Sequence, residues 1–242
     1  MKKTSIGLFI AGAIVGTACP SSAQTPPPTK NLFVDVNFGA QPASQIFEIA
    51  STPVVYGENA IVSSTQGVDG SALIDLTVGY RVWGNVSVAL ALTTTVATQG
   101  EASVTGAIPH PIFFDRRVES TTGVTDLEHK ERSAHLSVMW TSPITDKIDG
   151  SVMAGPTYIK VFQALVTGVQ VTTGTQNFTP VSDQTTATVT GFHFGGEVTY
   201  LLTRNVGIGG MLRYVAAKVD LGPVLDVKAG GFQYGGGLRL RF

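Results

Sequence analysis

His135 and Ser137 stand two residues apart in a stretch that alternates polar and apolar side chains, so both fall on one face of a strand. A base and a hydroxyl within reach begin a nucleophilic site, but a hydrolase also needs an orienting acid and oxyanion donors, and no acid follows at a matching place. His110, His129, His135 and His193 are scattered, and no His/Asp/Glu cluster has metal-ligand spacing. His129, with Glu128 and Glu131 nearby, is expected at a solvated loop edge. Gly235 to Gly237 lies within a strand with no helix after it, so it is not a phosphate loop. No catalytic residue, metal or cofactor is expected. Charges stand out instead: Asp35, Asp75, Arg81, Glu197, Arg213, Arg239 and Arg241 occupy the polar phase of otherwise apolar segments. One further run, Ile108, Pro109, His110, Pro111, Ile112, Phe113 and Phe114 followed by Asp115, Arg116 and Arg117, puts apolar side chains beside two cations suited to phosphate. It reads equally as a contact with a partner or with lipopolysaccharide, or as a segment folded back onto neighbouring loops.

The elements that hold these residues show period-two patterning. Ala72, Ile74, Leu76, Val78, Tyr80 and Val82 share one face, and Ser71, Leu73, Asp75, Thr77, Gly79 and Arg81 the other. Trp83, Gly84 and Asn85 turn the chain into Val86 to Val96, which repeats the pattern. The same grammar recurs in hairpins from Ser133 to Phe162 and from Phe192 to Lys218. With Asn31 to Phe38 and Lys228 to Phe242, eight strands result, each of a length that a tilted membrane strand requires. Turns after Val82, Thr141 and Leu202 are short, whereas 39–71, 98–129 and 163–188 are long connections. The predicted fold is an all-β, eight-stranded antiparallel up-and-down transmembrane β-barrel with short periplasmic turns and long extracellular loops. Whether the long connections carry the strands above the membrane stays open.

Composition agrees. The chain is 43% hydrophobic but only 14% charged, below the quarter or so of soluble domains, and after the first residues it has no apolar run of helix-spanning length. Lys2 and Lys3, the apolar stretch Ile6 to Ala18 and the small residues Ser21 to Ala23 form a cleavable export signal over residues 1–23. A Pro-rich periplasmic lead over 24–30 follows, and the barrel occupies 31–242. Cys19 falls in the signal, so the mature chain has no thiol. Without Lys2 and Lys3 the 16 basic residues become 14 against 17 acidic, a net of −3, which gives no reason to expect a nucleic-acid partner.

Aromatic residues form two groups, Tyr80, Trp83, Trp140, Tyr200 and Phe242 at the short-turn end and Phe38, Tyr158, Phe162, Phe192, Phe194, Tyr214, Phe232 and Tyr234 toward the long-loop end. Two such bands are expected where rings sit at both lipid–water interfaces. At the C-terminus Tyr234, Gly236, Leu238, Leu240 and Phe242 alternate with Gly235, Gly237, Arg239 and Arg241. This pattern resembles the terminal signal of outer-membrane barrels, with Tyr234, Leu238, Leu240 and Phe242 implied as the side chains recognised by the barrel assembly machinery. The 31–242 segment resembles the small OmpA-like and OmpX-like outer membrane protein β-barrel families. The His-x-Ser pair has a weaker resemblance to outer-membrane lipid A deacylases, in conflict with its inward phase.

An eight-stranded interior is wide enough only to be filled by side chains, so the inward charges must pair. Glu197 and Arg213 are expected to be mutual partners, with Arg239 and Asp35 completing a network. The functional expectation is a non-enzymatic outer-membrane barrel serving envelope integrity or surface interaction, in contact with outer-membrane lipid and lipopolysaccharide. The alternatives are a narrow channel for small solutes or ions and, less favoured, a lipid-modifying enzyme.

Overall fold

The computed structural model describes residues 31–42, 45–222 and 224–242. The export signal, Cys19 and the Pro-rich lead lie outside the described residues. Thirteen strands follow in order: β1 Leu32–Gln41, β2 Gln45–Ser51, β3 Val54–Val55, β4 Glu58–Asn59, β5 Ile61–Val68, β6 Ser71–Trp83, β7 Val86–Thr95, β8 Thr98–Pro109, β9 Arg117–Thr145, β10 Ile148–Val171, β11 Phe178–Leu201, β12 Val206–Leu221 and β13 Val224–Arg241. Eight of them close a ring in the order β1-β6-β7-β9-β10-β11-β12-β13, all antiparallel, with β13 returning to β1. The seam registers Asp35 against Arg239 and Asn37 against Gly237, and Phe242 and Leu32 exchange backbone hydrogen bonds below it.

In the ring the outward phase is apolar. Ile74, Leu76 and Val78 of β6, Val88, Leu90 and Leu92 of β7 and Leu136 and Val138 of β9 face outward and exposed. The opposite phase, with Asp75, Thr77, Ser87 and Thr93, is buried. Only a lipid surround rewards that arrangement, because in water it would expose apolar surface and bury polar groups. Trp83, Trp140 and Phe242 face outward near the short turns, Phe38, Tyr158, Phe192 and Phe232 near the other end. Between these two bands lies the membrane-spanning part. The turn between β6 and β7 is two residues long, with Gly84 at φ 53°, a left-handed conformation that favours glycine.

Much of the long connections 39–71, 98–129 and 163–188 is strand, which answers the question the sequence leaves open. β9 rises past the outer band and its upper half pairs with β8, from Thr98 against His129 to Pro109 against Arg117. β5 pairs with β8 and β2 with β5, extending the sheet, while β10 and β11 stay paired up to Val171 and Phe178. Here the alternation is inverted. Val62, Ala102, Val104, Leu127 and Val166 form a buried cluster, whereas Gln99, Glu101 and Ser103 point outward. Water surrounds this part, so apolar side chains turn inside, each Val or Leu contributing roughly 1.5–3 kcal/mol when fully buried. A second cluster, including Ile159, Val161, Leu165 and Val215, fills the barrel beneath it.

Candidate functional site

The lumen is crossed by a side-chain column. Arg213 on β12 donates Nη2–H to Asp75 Oδ2 of β6 at 2.8 Å; Asp75 is 0% and Arg213 1% exposed. Thr93 donates to the same carboxylate at 2.6 Å, and Asn37 donates to Asp75 Oδ1 at 3.1 Å. Upward, Arg213 donates Nε–H to Gln233 at 2.9 Å, Gln233 donates to Gln41 at 2.7 Å, and Gln41 donates to Glu131 Oε2 at 2.9 Å. Downward, Asn37 accepts from Arg239 Nη1 at 2.6 Å. The column therefore runs from Glu131 at the outer rim to Arg239 near the periplasmic end, tying β9, β1, β13, β12 and β6 together.

Glu197 does not meet Arg213. Across β11 and β12, Glu197 is registered against Met211, and Arg213 lies opposite Gly195, whose missing side chain leaves Arg213 free to cross the lumen to Asp75. Glu197 instead faces Arg239, with Oε2 3.3 Å from Nε, while Asp35 Oδ1 lies 3.7 Å from the same nitrogen. Arg239 Nε makes no aligned hydrogen bond among the described residues, so both contacts act through charge. At the floor Arg241 pairs with Asp149 at 2.6 Å, and Arg81 lines the same small polar cavity as Arg241, Asp35 and Glu197. Asn37, Gln41 and Gln233 escape a search for charge pairs, although each sits on the inward phase of its strand and could be found by reading amides together with ions; Asp149, next to the β9–β10 turn, is an ion that the sequence reading does not place in the lumen.

His135 and Ser137 enter a second lumenal cluster. Ser137 Oγ lies 2.8 Å from His193 Nε2, and the Thr157 hydroxyl lies 2.8 Å from Nδ1 of both His193 and His135. Ser133 Oγ completes the chain 3.0 Å from His135 Nε2. One hydroxyl proton cannot serve two acceptors, so when both rings are neutral at least one of them carries its proton on Nδ1 and donates to the Thr157 oxygen. Ser137 and His193 have the pairing of a nucleophile and base, but a hydroxyl rather than a carboxylate orients the imidazole, and both are buried in the wall. The cluster sits where the β9–β10 ladder passes from Val138–Ala154 to His135–Thr157, skipping Pro156, which has no N–H to give. These side-chain bonds brace β9, β10 and β11 across that gap.

His129 and Glu131 do not form a solvated edge. Glu131 is buried, accepts from Gln41 and from the Gly230 amide, and lies 3.6 Å from His129 Nε2. His129 Nδ1 is 2.6 Å from Gln163 Oε1, just above the outer aromatic band. Burial opposes the imidazolium there, but the hydrogen bond to Glu131, its charge and Gln163 outweigh burial and raise the His129 pKa. A raised folded-state pKa gives stability that is full below the unfolded value of about 6.5 and is lost as pH rises through the folded value. Urea unfolding in micelles should show up to about 1 kcal/mol of such loss. A His129→Asn variant should lack it, and equal slopes for both proteins would refute the assignment.

The Ile108 to Arg117 segment is divided between the two readings. Ile108 is fully buried and its carbonyl accepts from Gln176, whereas Ile112, Phe113 and Phe114 are 75%, 53% and 78% exposed. The tip is held in shape: the Ile112 and Phe113 amides donate to His110 Nδ1 at 3.1 and 3.2 Å, and Arg116 lies over the Phe113 ring at 5.3 Å. Arg117 donates to the Asn59 carbonyl at 3.2 Å, anchoring the base of the turn.

No family model matches the chain, and no curated protein matches its sequence. Among solved structures it is similar to the outer membrane protein OprG from Pseudomonas aeruginosa, at TM-score 0.49 and 12% identity over 88% of this chain and 96% of that one. It is also similar to the N-terminal β-barrel domain of Pseudomonas aeruginosa OprF, at 0.40 and 12% over 88% and 98%. The outer membrane protease OmpT from Escherichia coli stands at 0.46 and 10%, over 91% and 99%. These neighbours are outer-membrane β-barrels, and likenesses this distant assign neither activity nor partner.

Proposed function

We propose that this chain is a non-enzymatic outer-membrane barrel that presents a preformed apolar tip to a partner outside the cell. The observation that carries this reading is the fixed turn exposing Ile112, Phe113 and Phe114 at the summit of a sheet with its own core. An apolar tip in water is unfavourable by itself and is retained where a partner covers it. The filled lumen supports presentation over conduction, since Asp75 and Arg213 meet across its middle. Ser137 and His193 are buried and, among the described residues, a hydroxyl rather than a carboxylate meets the imidazole, which supports a role without chemistry.

The test uses whole cells displaying the full chain, scored for retention on immobilised protein, glycan and lipid surfaces. Replacing Ile112, Phe113 and Phe114 together by Ser should lower retention about tenfold on the surface carrying the partner, about 1.4 kcal/mol of binding, while leaving heat-modifiable migration unchanged. Undiminished retention, or stable single-channel current from the refolded wild type in planar bilayers, would overturn the reading.

A further inference from the structure

The outer wall of the barrel carries a row of polar side chains at the level where lipid headgroups lie. Across β7, β9, β10 and β11 the register aligns Thr94, Arg132, Lys160 and Thr188, all on the outward phase, with Lys130 one pleat above Arg132 and opposite Phe162. The next row toward the membrane centre is Leu92, Ala134, Tyr158 and Thr190, followed by Leu90 and Leu136. Cations thus cap an acyl-facing surface at the outer aromatic band.

Arg132 and Lys160 are directly cross-strand neighbours, a placement in which like charges destabilise a sheet. They also converge: the Arg132 guanidinium carbon lies 5.5 Å and the Lys160 Nζ 5.0 Å from the centroid of the same Phe162 ring. Among the described residues no carboxylate lies within ion-pair distance of Lys130, Arg132 or Lys160. The other outward cross-strand cations, Lys218 and Lys228, differ, for Asp226 sits 3.2 Å from Lys218 and is held by Asp220. The first cluster is the one whose repulsion lacks a protein counter-ion.

We infer that Lys130, Arg132 and Lys160, flanked by the hydroxyls of Thr94 and Thr188, bind the headgroup phosphate of a lipid A-type glycolipid in the outer leaflet. A doubly charged phosphate placed between Arg132 and Lys160 accepts from both cations, removing the repulsion, while Thr94 and Thr188, one strand further out on either side, face the sugar hydroxyls and the lipid's acyl chains lie along Leu92, Leu90 and Leu136. The inference rests on the outer-membrane reading but not on the extracellular tip.

The test is native mass spectrometry of the refolded full-length mature chain in detergent with bisphosphorylated lipid A, compared with dephosphorylated lipid A. The wild type should retain the phosphorylated lipid at least about tenfold better, which is about 1.4 kcal/mol. R132Q/K160Q should abolish the preference, R132K/K160R should keep it, and the triple-Ser tip variant should behave as wild type. Equal retention of the two lipids by the wild type would overturn the assignment whatever the variants do, as would an undiminished preference in R132Q/K160Q. Failure of the tip variant alone in cell retention bears only on the surface-contact reading.

Discussion

Arg213→Met is expected to destabilise the folded barrel by about 3–5 kcal/mol, because it strands the Asp75 carboxylate at the centre of the lumen with no cation to face. Asp75 keeps hydrogen bonds from Thr93 and Asn37, but neutral donors do not balance a charge removed from water. Arg213 also loses its link to Gln233, so the column above it is cut from the one below. Asp75→Asn should cost a similar amount by leaving the guanidinium unpaired. The double variant should be more stable than the sum of the two predicts by roughly 1–3 kcal/mol, the coupling seen between residues in direct contact. Urea unfolding in micelles reads all three differences. The Glu197 and Arg213 pair should couple less strongly, since each has its own nearer partner. Additivity at Asp75 and Arg213 would mean that the central crossing is not formed.

Gly237→Val should prevent closure rather than merely weaken the barrel. Gly237 faces inward on β13 opposite Asn37 of β1, and a Cβ there would overlap the Val36 carbonyl oxygen and stand 2.8 Å from the Asn37 Cα. Both obstacles are backbone, so no rotamer change relieves them. The first and last strands must approach this closely because eight strands curve tightly around a narrow lumen. The fraction of chain showing heat-modifiable migration in the membrane should fall at least about tenfold, or by more than 1.4 kcal/mol if closure is at equilibrium. Gly123→Val is the matched control: nothing lies within 4 Å of a Cβ added there, so its effect should stay within about 0.5 kcal/mol. Equal yields for the two variants would contradict the seam geometry.

The membrane-spanning half was readable because lipid outside and a filled lumen inside force opposite polarity on alternate residues, as along Ser71 to Val82. The upper half is harder to read as strand for the same physical reason turned over. Along β8, Gly100, Ala102, Val104, Gly106 and Ile108 are buried while Gln99, Glu101 and Ser103 face water. That is an ordinary period-two strand with apolar residues inside, but its phase is the reverse of the one below, and small residues blur it further. Placement in the lumen was legible for Asp35, Asp75, Glu197, Arg213 and Arg239 from strand phase alone. Who pairs with whom was not, because that depends on inter-strand register and on gaps such as Gly195, which one strand read singly does not contain. Glu131 reads from sequence as part of a solvated edge because it follows directly on the 98–129 connection, whereas β9 carries it into the lumen.

β9 is a strand of 29 residues, bulged at Thr125 and Asp126, with a contour of roughly 95 Å at about 3.3 Å per residue. Tilted about 40°, it stands roughly 70 Å tall, against an apolar band of about 25 Å. About 45 Å therefore clears the apolar band, most of it on the outer side, which gives the chain the proportions of a mast. The partner proposed for the exposed tip would then be met well above the lipid surface. Cutting the mast in matched pairs from β8 and β9, two residues at a time to keep each side chain on its own face, would lower that tip by roughly 5 Å per step.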